Sequence, residues 1–167
     1  MESEKKDEIK VISLSIIFVV LVAVSTMIIS IPVPATHGYI NLGDAMVLIS
    51  GLLYGPLVGF IAGGFGSSIA DLILSPGYAP ITLIVKGLEG IIAGTSYKSG
   101  WKMKSLMAAI AVTEMVAGYM IAEGFLYGFG AALVELPGNI FQAFWGWTVS
   151  LSVTFLIKEK YYRAKRQ

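Results

Sequence analysis

Apolar residues occur along this chain in long blocks, and polar residues gather in the short gaps between them. About 20 apolar residues suffice for a helix to cross a bilayer, and Pro, Gly and charged positions mark where such blocks stop. The pattern predicts helices over 9–32, 44–54, 56–74, 81–97, 105–127 and 137–157. The second is short for a span, and Gly55-Pro56 separates it from the third, so it is expected to be tilted, partial or one arm of a broken helix. The first apolar run, Val11 to Ile31, exceeds the roughly 7–15 residues of a signal-peptide core and is read as the first span. The expected architecture is all-α: one integral membrane bundle of about six transmembrane helices, residues 1–167 forming a single substrate-binding domain.

Composition strengthens this reading. Of 167 residues, 56% are hydrophobic and 14% charged, against roughly 25% charged in a soluble domain. So small a fold leaves too much surface to hide that excess from water, and hydrocarbon is the fitting solvent. Nineteen Gly imply close helix packing, since small residues let membrane helices approach. Gly55, Gly59, Gly63 and Ser67 fall at four-residue steps, with Ala62, Gly66 and Ala70 as a second row, a surface for an internal helix or for a partner.

Charge sets an orientation. Lys5, Lys6 and Lys10 precede the first span, Lys98, Lys102 and Lys104 lie between the fourth and fifth, and Lys158, Lys160, Arg163, Lys165 and Arg166 follow the sixth. The connections 33–43, 75–80 and 128–136 contain no Lys or Arg. Basic residues collect on the cytoplasmic side, so both termini are expected inside and these three connections outside. No basic surface interleaved with aromatic residues suggests nucleic acid.

The chain has no Cys and a single His, His37, which removes disulfides, thiol chemistry and the usual metal-site spacings; no metal or cofactor is expected. Nor is there a Ser/His/Asp set or another catalytic constellation, so an enzyme is not expected.

Ionisable residues inside spans are costly and point to function. Asp44, Asp71, Glu123 and Glu135 lie near the outer ends of the predicted spans, Lys86 and Glu89 within the fourth, and Glu114 in the middle of the fifth. Lys86 and Glu89, three apart, form an internal ion pair or contact a ligand directly, and Asp71 is another possible partner for Lys86. Glu114 needs a cross-helix donor, a proton, water or a ligand. Asp44 is positioned to cap the second helix. Pro32 to Asp44 is expected to be an ordered loop offering Thr36, His37, Tyr39 and Asn41 as hydrogen-bonding groups, His37 by a loop hydrogen bond or ligand contact. Pro137 is expected to start the last helix, where Asn139 and Gln142 share a face. Those amides suit a heterocycle on which Trp145 or Tyr119 would stack, or else serve as interhelical glue beside an aromatic belt.

Several segments in this order resemble the substrate-binding S component of energy-coupling factor (ECF) vitamin transporters, particularly the riboflavin and hydroxymethylpyrimidine-type group. They are Asn41-Leu42-Gly43-Asp44-Ala45, Gly51-Leu52-Leu53-Tyr54-Gly55-Pro56, Gly63 to Asp71, Tyr78-Ala79-Pro80, Lys86-Gly87-Leu88-Glu89-Gly90 and Leu136-Pro137-Gly138-Asn139. The resemblance implies a cell-membrane protein that binds a water-soluble vitamin or precursor, such as riboflavin, hydroxymethylpyrimidine or pyridoxine, near the outer face. It also implies docking on a membrane coupling subunit driven by two ATP-binding subunits. The matching pocket positions are the loop from Thr36 to Asn41, the outer part of the fourth span with Lys86 and Glu89, the fifth around Glu114, and Asn139 with Gln142. The family's Ala-x-x-x-Ala docking pattern is missing from the first span, where Ser13, Ser15, Ala23 and Ser25 stand instead; a serine-based small face or another helix would replace it. The competing reading is a stand-alone small transporter or channel.

Overall fold

The computed structural model describes the backbone of residues 2–164 and the side chains of residues 4–157; the basic side chains from Lys158 to Arg166 lie outside these. Among the described residues six helices form a bundle: α1 (Glu2–Ile28), α2 (Asp44–Tyr54), α3 (Pro56–Leu74), α4 (Ala79–Gly94), α5 (Trp101–Tyr127) and α6 (Phe129–Ala164). The expected loop after the first span is instead an antiparallel hairpin of β1 (Ser30–Val33) and β2 (Gly38–Asn41), with Ser30 opposite Asn41 and Val33 opposite Gly38. The all-α expectation is corrected to that extent. Pro32 and Pro34 restrict the chain to extended and turn conformations, which ends α1 at Ile28, four residues before the expected boundary. His37 closes the turn at φ 57°.

Four helices have the length and apolarity to cross a membrane: 4–28, 56–74, 101–127 and 129–157. Their outward faces carry exposed Ile16, Leu57, Leu106, Phe125 and Phe144, apolar groups that hydrocarbon accommodates and water does not. The two remaining helices are central. At 11 residues, α2 is about 16 Å long, roughly half the hydrocarbon thickness, but most of it is enclosed: Val47, Leu48 and Leu52 are fully buried. α4 packs on α2, α3 and α5 and buries Lys86 and Glu89. Neither has to satisfy lipid along its whole length.

Glycines set the distance between α3 and α4. A methyl group on Gly59 would meet the backbone of Gly90, and one on Gly90 would meet that of Gly59; a methyl on Gly63 would meet the carbonyl of Lys86. The second row packs on α1, where Gly66 abuts Val19 and Val22. Both small-residue rows therefore face internal partners.

Several boundaries differ from expectation. α6 begins at Phe129, and Pro137 lies inside it; Gly128, at φ 88°, is the whole link to α5. A Pro within a membrane helix is tolerated where neighbouring groups satisfy the freed backbone. Lys104, read from sequence as part of a basic connection, is buried within α5, where its ammonium donates to the carbonyls of Leu52 and Tyr97. A lysine there serves the Leu52 carbonyl, in the last turn of α2, and the Tyr97 carbonyl in the turn after α4. On α1, Ser15 and Ala23 are buried among the other helices while Ser13 is exposed, so the four small residues do not make one outward docking face.

Candidate functional site

The hairpin roofs one end of the bundle, and beneath it polar groups from several elements converge on one cavity. β2 supplies Gly38, Tyr39 and Asn41; α3 supplies Asp71; the turn at Pro76–Tyr78 supplies Tyr78. Thr82 comes from α4, Tyr119 and Glu123 from α5, and Glu135, Asn139 and Gln142 from α6. Helical spacing explains the convergence: Tyr119 and Glu123 are four apart, and Glu135, Asn139 and Gln142 follow at steps of four and three, so each set lies on one helix face. Between these walls the centre of a water-sized sphere is free to move through only about 20 Å³. The walls stand close together.

Hydrogen bonds fasten the roof to the walls. The Thr36 hydroxyl donates to Glu135 and the Tyr39 hydroxyl to Asp71. Tyr78 Oη donates to the Thr36 carbonyl at 3.1 Å, and Ser75 Oγ to the His37 carbonyl at 2.6 Å. Burial, followed by the charge of Asp71, raises the pKa of Tyr39, and burial raises that of Tyr78, so both phenols remain donors. Gly38 lets β2 lie against Glu135: a Cβ there would sit 2.9 Å from Oε1. Thr82 Oγ1 and Tyr119 Oη are 2.9 Å apart, bonded to one another.

Below the cavity a polar chain runs into the bundle. The Asn41 amide donates to Gln142 Oε1 at 2.7 Å, and Gln142 Nε2 to Asp44 Oδ2 at 3.0 Å. Asp44 in turn pairs with Lys86, whose ammonium lies 3.2 Å from Glu89 Oε2 and 5.6 Å from the centre of the Tyr119 ring. All three charged residues are buried. Asp44 makes no side-chain cap; its N-terminal neighbour Gly43 occupies the cap position. The capping expectation fails because an ammonium in a low-dielectric interior is a stronger partner than a backbone amide. Lys86 and Glu89 form the internal pair, while Asp71 is engaged by Tyr39.

Of the residues singled out from sequence, Tyr39, Asn41, Tyr119, Asn139 and Gln142 line the cavity. Thr36 is buried behind it, bonded to Glu135. Lys86 and Glu89 lie in the polar chain beneath, not among the lining residues. Glu114, one of whose oxygens is buried without a hydrogen-bond partner, is not part of the lining either. His37 lines a wider depression outside, its ring 6.0 Å from that of Tyr127. Trp145 is 42% exposed, in an apolar groove with Ile29, Ile31, Ile40 and Phe141, which removes it as a stacking platform inside the cavity. Conversely, Tyr78 and Thr82 line it without having been singled out, and Asp71, Glu123 and Glu135, noted from sequence as costly acids near the outer ends of spans but not as ligand contacts, line it too. Their signal was present for the acids, which cluster at the outer ends of the spans, and for Glu135 through its step of four to Asn139.

A family model described as "ECF-type riboflavin transporter, S component" matches residues 6–159. The chain is 32% identical over 153 residues to the thiamine precursor transporter HmpT of Lactococcus lactis subsp. cremoris (strain MG1363), covering 90% of this chain and 89% of that protein. It is 38% identical over 141 residues to an uncharacterized protein of Pyrococcus woesei, covering 83% of this chain and 95% of the relative. With a helical bundle able to cross the membrane several times and a polar cavity at one end, the chain belongs to the family of ECF-type transporter S components.

Proposed function

We propose that this protein is the cell-membrane capture subunit of an ECF-type importer, taking a small heterocyclic vitamin or vitamin precursor from the outer face. The observation that carries this reading is the cavity itself. Carboxylates, amides, hydroxyls and the rings of Tyr78 and Tyr119 converge at the hairpin end of a bundle whose exterior is apolar. A few placed polar groups and aromatic faces in a concave site are what small-molecule recognition requires. The free volume of about 20 Å³ is far below the roughly 300–1,000 Å³ of ligand sites, so the walls must part to admit a ligand, and a single ring such as hydroxymethylpyrimidine or pyridoxine asks for less movement than a tricyclic flavin.

On this reading the hairpin side faces out, both termini face the cytoplasm, and the basic residues Lys5, Lys6, Lys10 and Lys98 lie inside. Entry requires the hairpin to part from the walls, breaking the Thr36–Glu135 and Tyr39–Asp71 bonds, and a bound ring replaces them. Release inward depends on a membrane coupling subunit and two ATP-binding subunits. The cavity side chains bind, and no reaction is assigned to them.

The test is a thermal-shift and calorimetric screen of the detergent-purified chain against hydroxymethylpyrimidine, pyridoxine, thiamine and riboflavin, with flux measured in liposomes. A ligand at 100 times its dissociation constant should stabilise the fold by about 2.7 kcal/mol. Tight binding without flux from the chain alone is expected. Flux from the chain alone would sink the capture-subunit reading in favour of a stand-alone transporter.

A further inference from the structure

Glu123 is the carboxylate of the cavity lining to which no hydroxyl is bonded. It is 1% exposed, it lines the cavity, and neither of its oxygens accepts a well-formed hydrogen bond from a hydroxyl, backbone amide or ammonium. The two other acids in the lining are each engaged, Asp71 by the Tyr39 hydroxyl and Glu135 by the Thr36 hydroxyl. Glu135 and Asn139 are the polar neighbours of Glu123. Among the described residues no Lys, Arg or His lines this cavity, and the Lys86 ammonium is held by Asp44 and Glu89. A buried acid whose neighbours are an amide and a second acid is costly unless something else supplies a positive charge.

We infer that Glu123, backed by Glu135, is the recognition site for a protonated or amino-bearing nitrogen of the ligand, and that the protein selects cationic aminoheterocycles over neutral or anionic ones. This rests on the capture reading above and narrows it. A ring nitrogen carrying a proton beside an exocyclic amine presents two parallel N–H donors, the fork that a carboxylate accepts in bidentate fashion. Tyr119 lies one turn before Glu123 on α5, and the Tyr78 ring is 6.3 Å from it, so an aromatic face stands beside the acid for a cationic ring. Tyr39 is committed to Asp71 and Tyr78 to the Thr36 carbonyl, Thr82 and Tyr119 share one hydrogen bond, and the donors left to a ligand are neutral. An anion would meet carboxylates and no free cation.

The test compares 4-amino-5-hydroxymethyl-2-methylpyrimidine with its 4-oxo counterpart, which has the same size and lacks the amine, by calorimetry on the purified full chain. The amino compound should bind about 10- to 100-fold more tightly, the value of a charge-assisted hydrogen bond, and Glu123→Gln should remove most of that preference. Glu135→Gln should reduce it less, and the wild-type comparison stands whether or not either variant folds. Equal affinity for the two pyrimidines, or an amino preference intact in a folded Glu123→Gln protein, overturns the inference. Tight binding of riboflavin or of an anionic ester overturns it while leaving the capture reading in place; no binding by any compound counts against both.

Discussion

Gln142 on α6 donates to Asp44 at the start of α2, a 3.0 Å bond between residues 98 positions apart. Through its other amide atom the same side chain accepts from the backbone of Asn41 in the hairpin. One residue thus ties the roof of the cavity to the buried Asp44–Lys86–Glu89 cluster. Gln142→Leu should break both bonds while keeping the volume, weakening ligand binding by about 1–3 kcal/mol. Isothermal titration with the best ligand from the screen measures it; unchanged affinity in a folded variant would show that the roof is positioned by its other bonds.

Asn139 lies between Glu135 and Gln142 on the same face and lines the cavity. If its amide faces a polar group of the ligand, Asn139→Ala should cost about 1–3 kcal/mol of binding with little change in the melting temperature of the unliganded protein. Equal affinity in the variant would remove Asn139 from the site.

Lys86 neutralises Asp44 and Glu89 in the interior. Lys86→Met leaves two buried carboxylates uncompensated and should destabilise the protein by about 3–5 kcal/mol, because removing one partner of a buried pair strands the other. Adding Asp44→Asn to that variant should recover part of the loss. Melting temperatures of the wild type, both single variants and the double variant decide it; additive losses would contradict the pairing.

Gly90 sits against Gly59 without room for a methyl. Gly90→Ala should separate α3 from α4 and cost about 1–3 kcal/mol, whereas Gly130→Ala, where no atom lies within 4 Å of an added Cβ, should be neutral or slightly stabilising. Unfolding measured on the two variants side by side checks the contrast.

The native chain has no Cys, so single cysteines report topology cleanly. Gly77 and Gly100 both have open space around an added Cβ. Gly77→Cys, next to the hairpin, should react with a membrane-impermeant maleimide on intact cells, and Gly100→Cys should react only after the membrane is permeabilised. The reverse pattern would invert the orientation proposed from the lysines.

The internal partner of the glycine rows could not be read from the sequence, but the membrane class, the number of helices and the close-packing faces of those rows could. Each depends on local runs or fixed spacing: twenty apolar residues in a row, small residues every fourth position. The hairpin was missed because its four-residue strands, cut by Pro32 and Pro34, carry no period-2 signal of their own. The onset of α6 was missed because Pro137 is a normal helix starter, and only packing at the cavity wall lets the helix run through it. Trp145 was misplaced for a related reason: an aromatic on a membrane helix has the same spacing whether it faces lipid or a cavity.

What the sequence by itself determined, then, is the solvent this protein folds in and the helical elements that solvent imposes, since hydrocarbon forces backbone groups to bond locally and makes long apolar runs unmistakable. Which polar groups meet was decided only in three dimensions. Asp44, Asp71, Glu123 and Glu135 were visible one by one, but pairing Asp44 with Lys86, giving Tyr39 to Asp71 and Thr36 to Glu135, and leaving Glu123 without a hydroxyl donor depends on contacts across 32 to 99 positions of chain. Local spacing carries no information about such contacts; they arise when the glycine faces of α3 and α4 close and the hairpin folds over the end of the bundle.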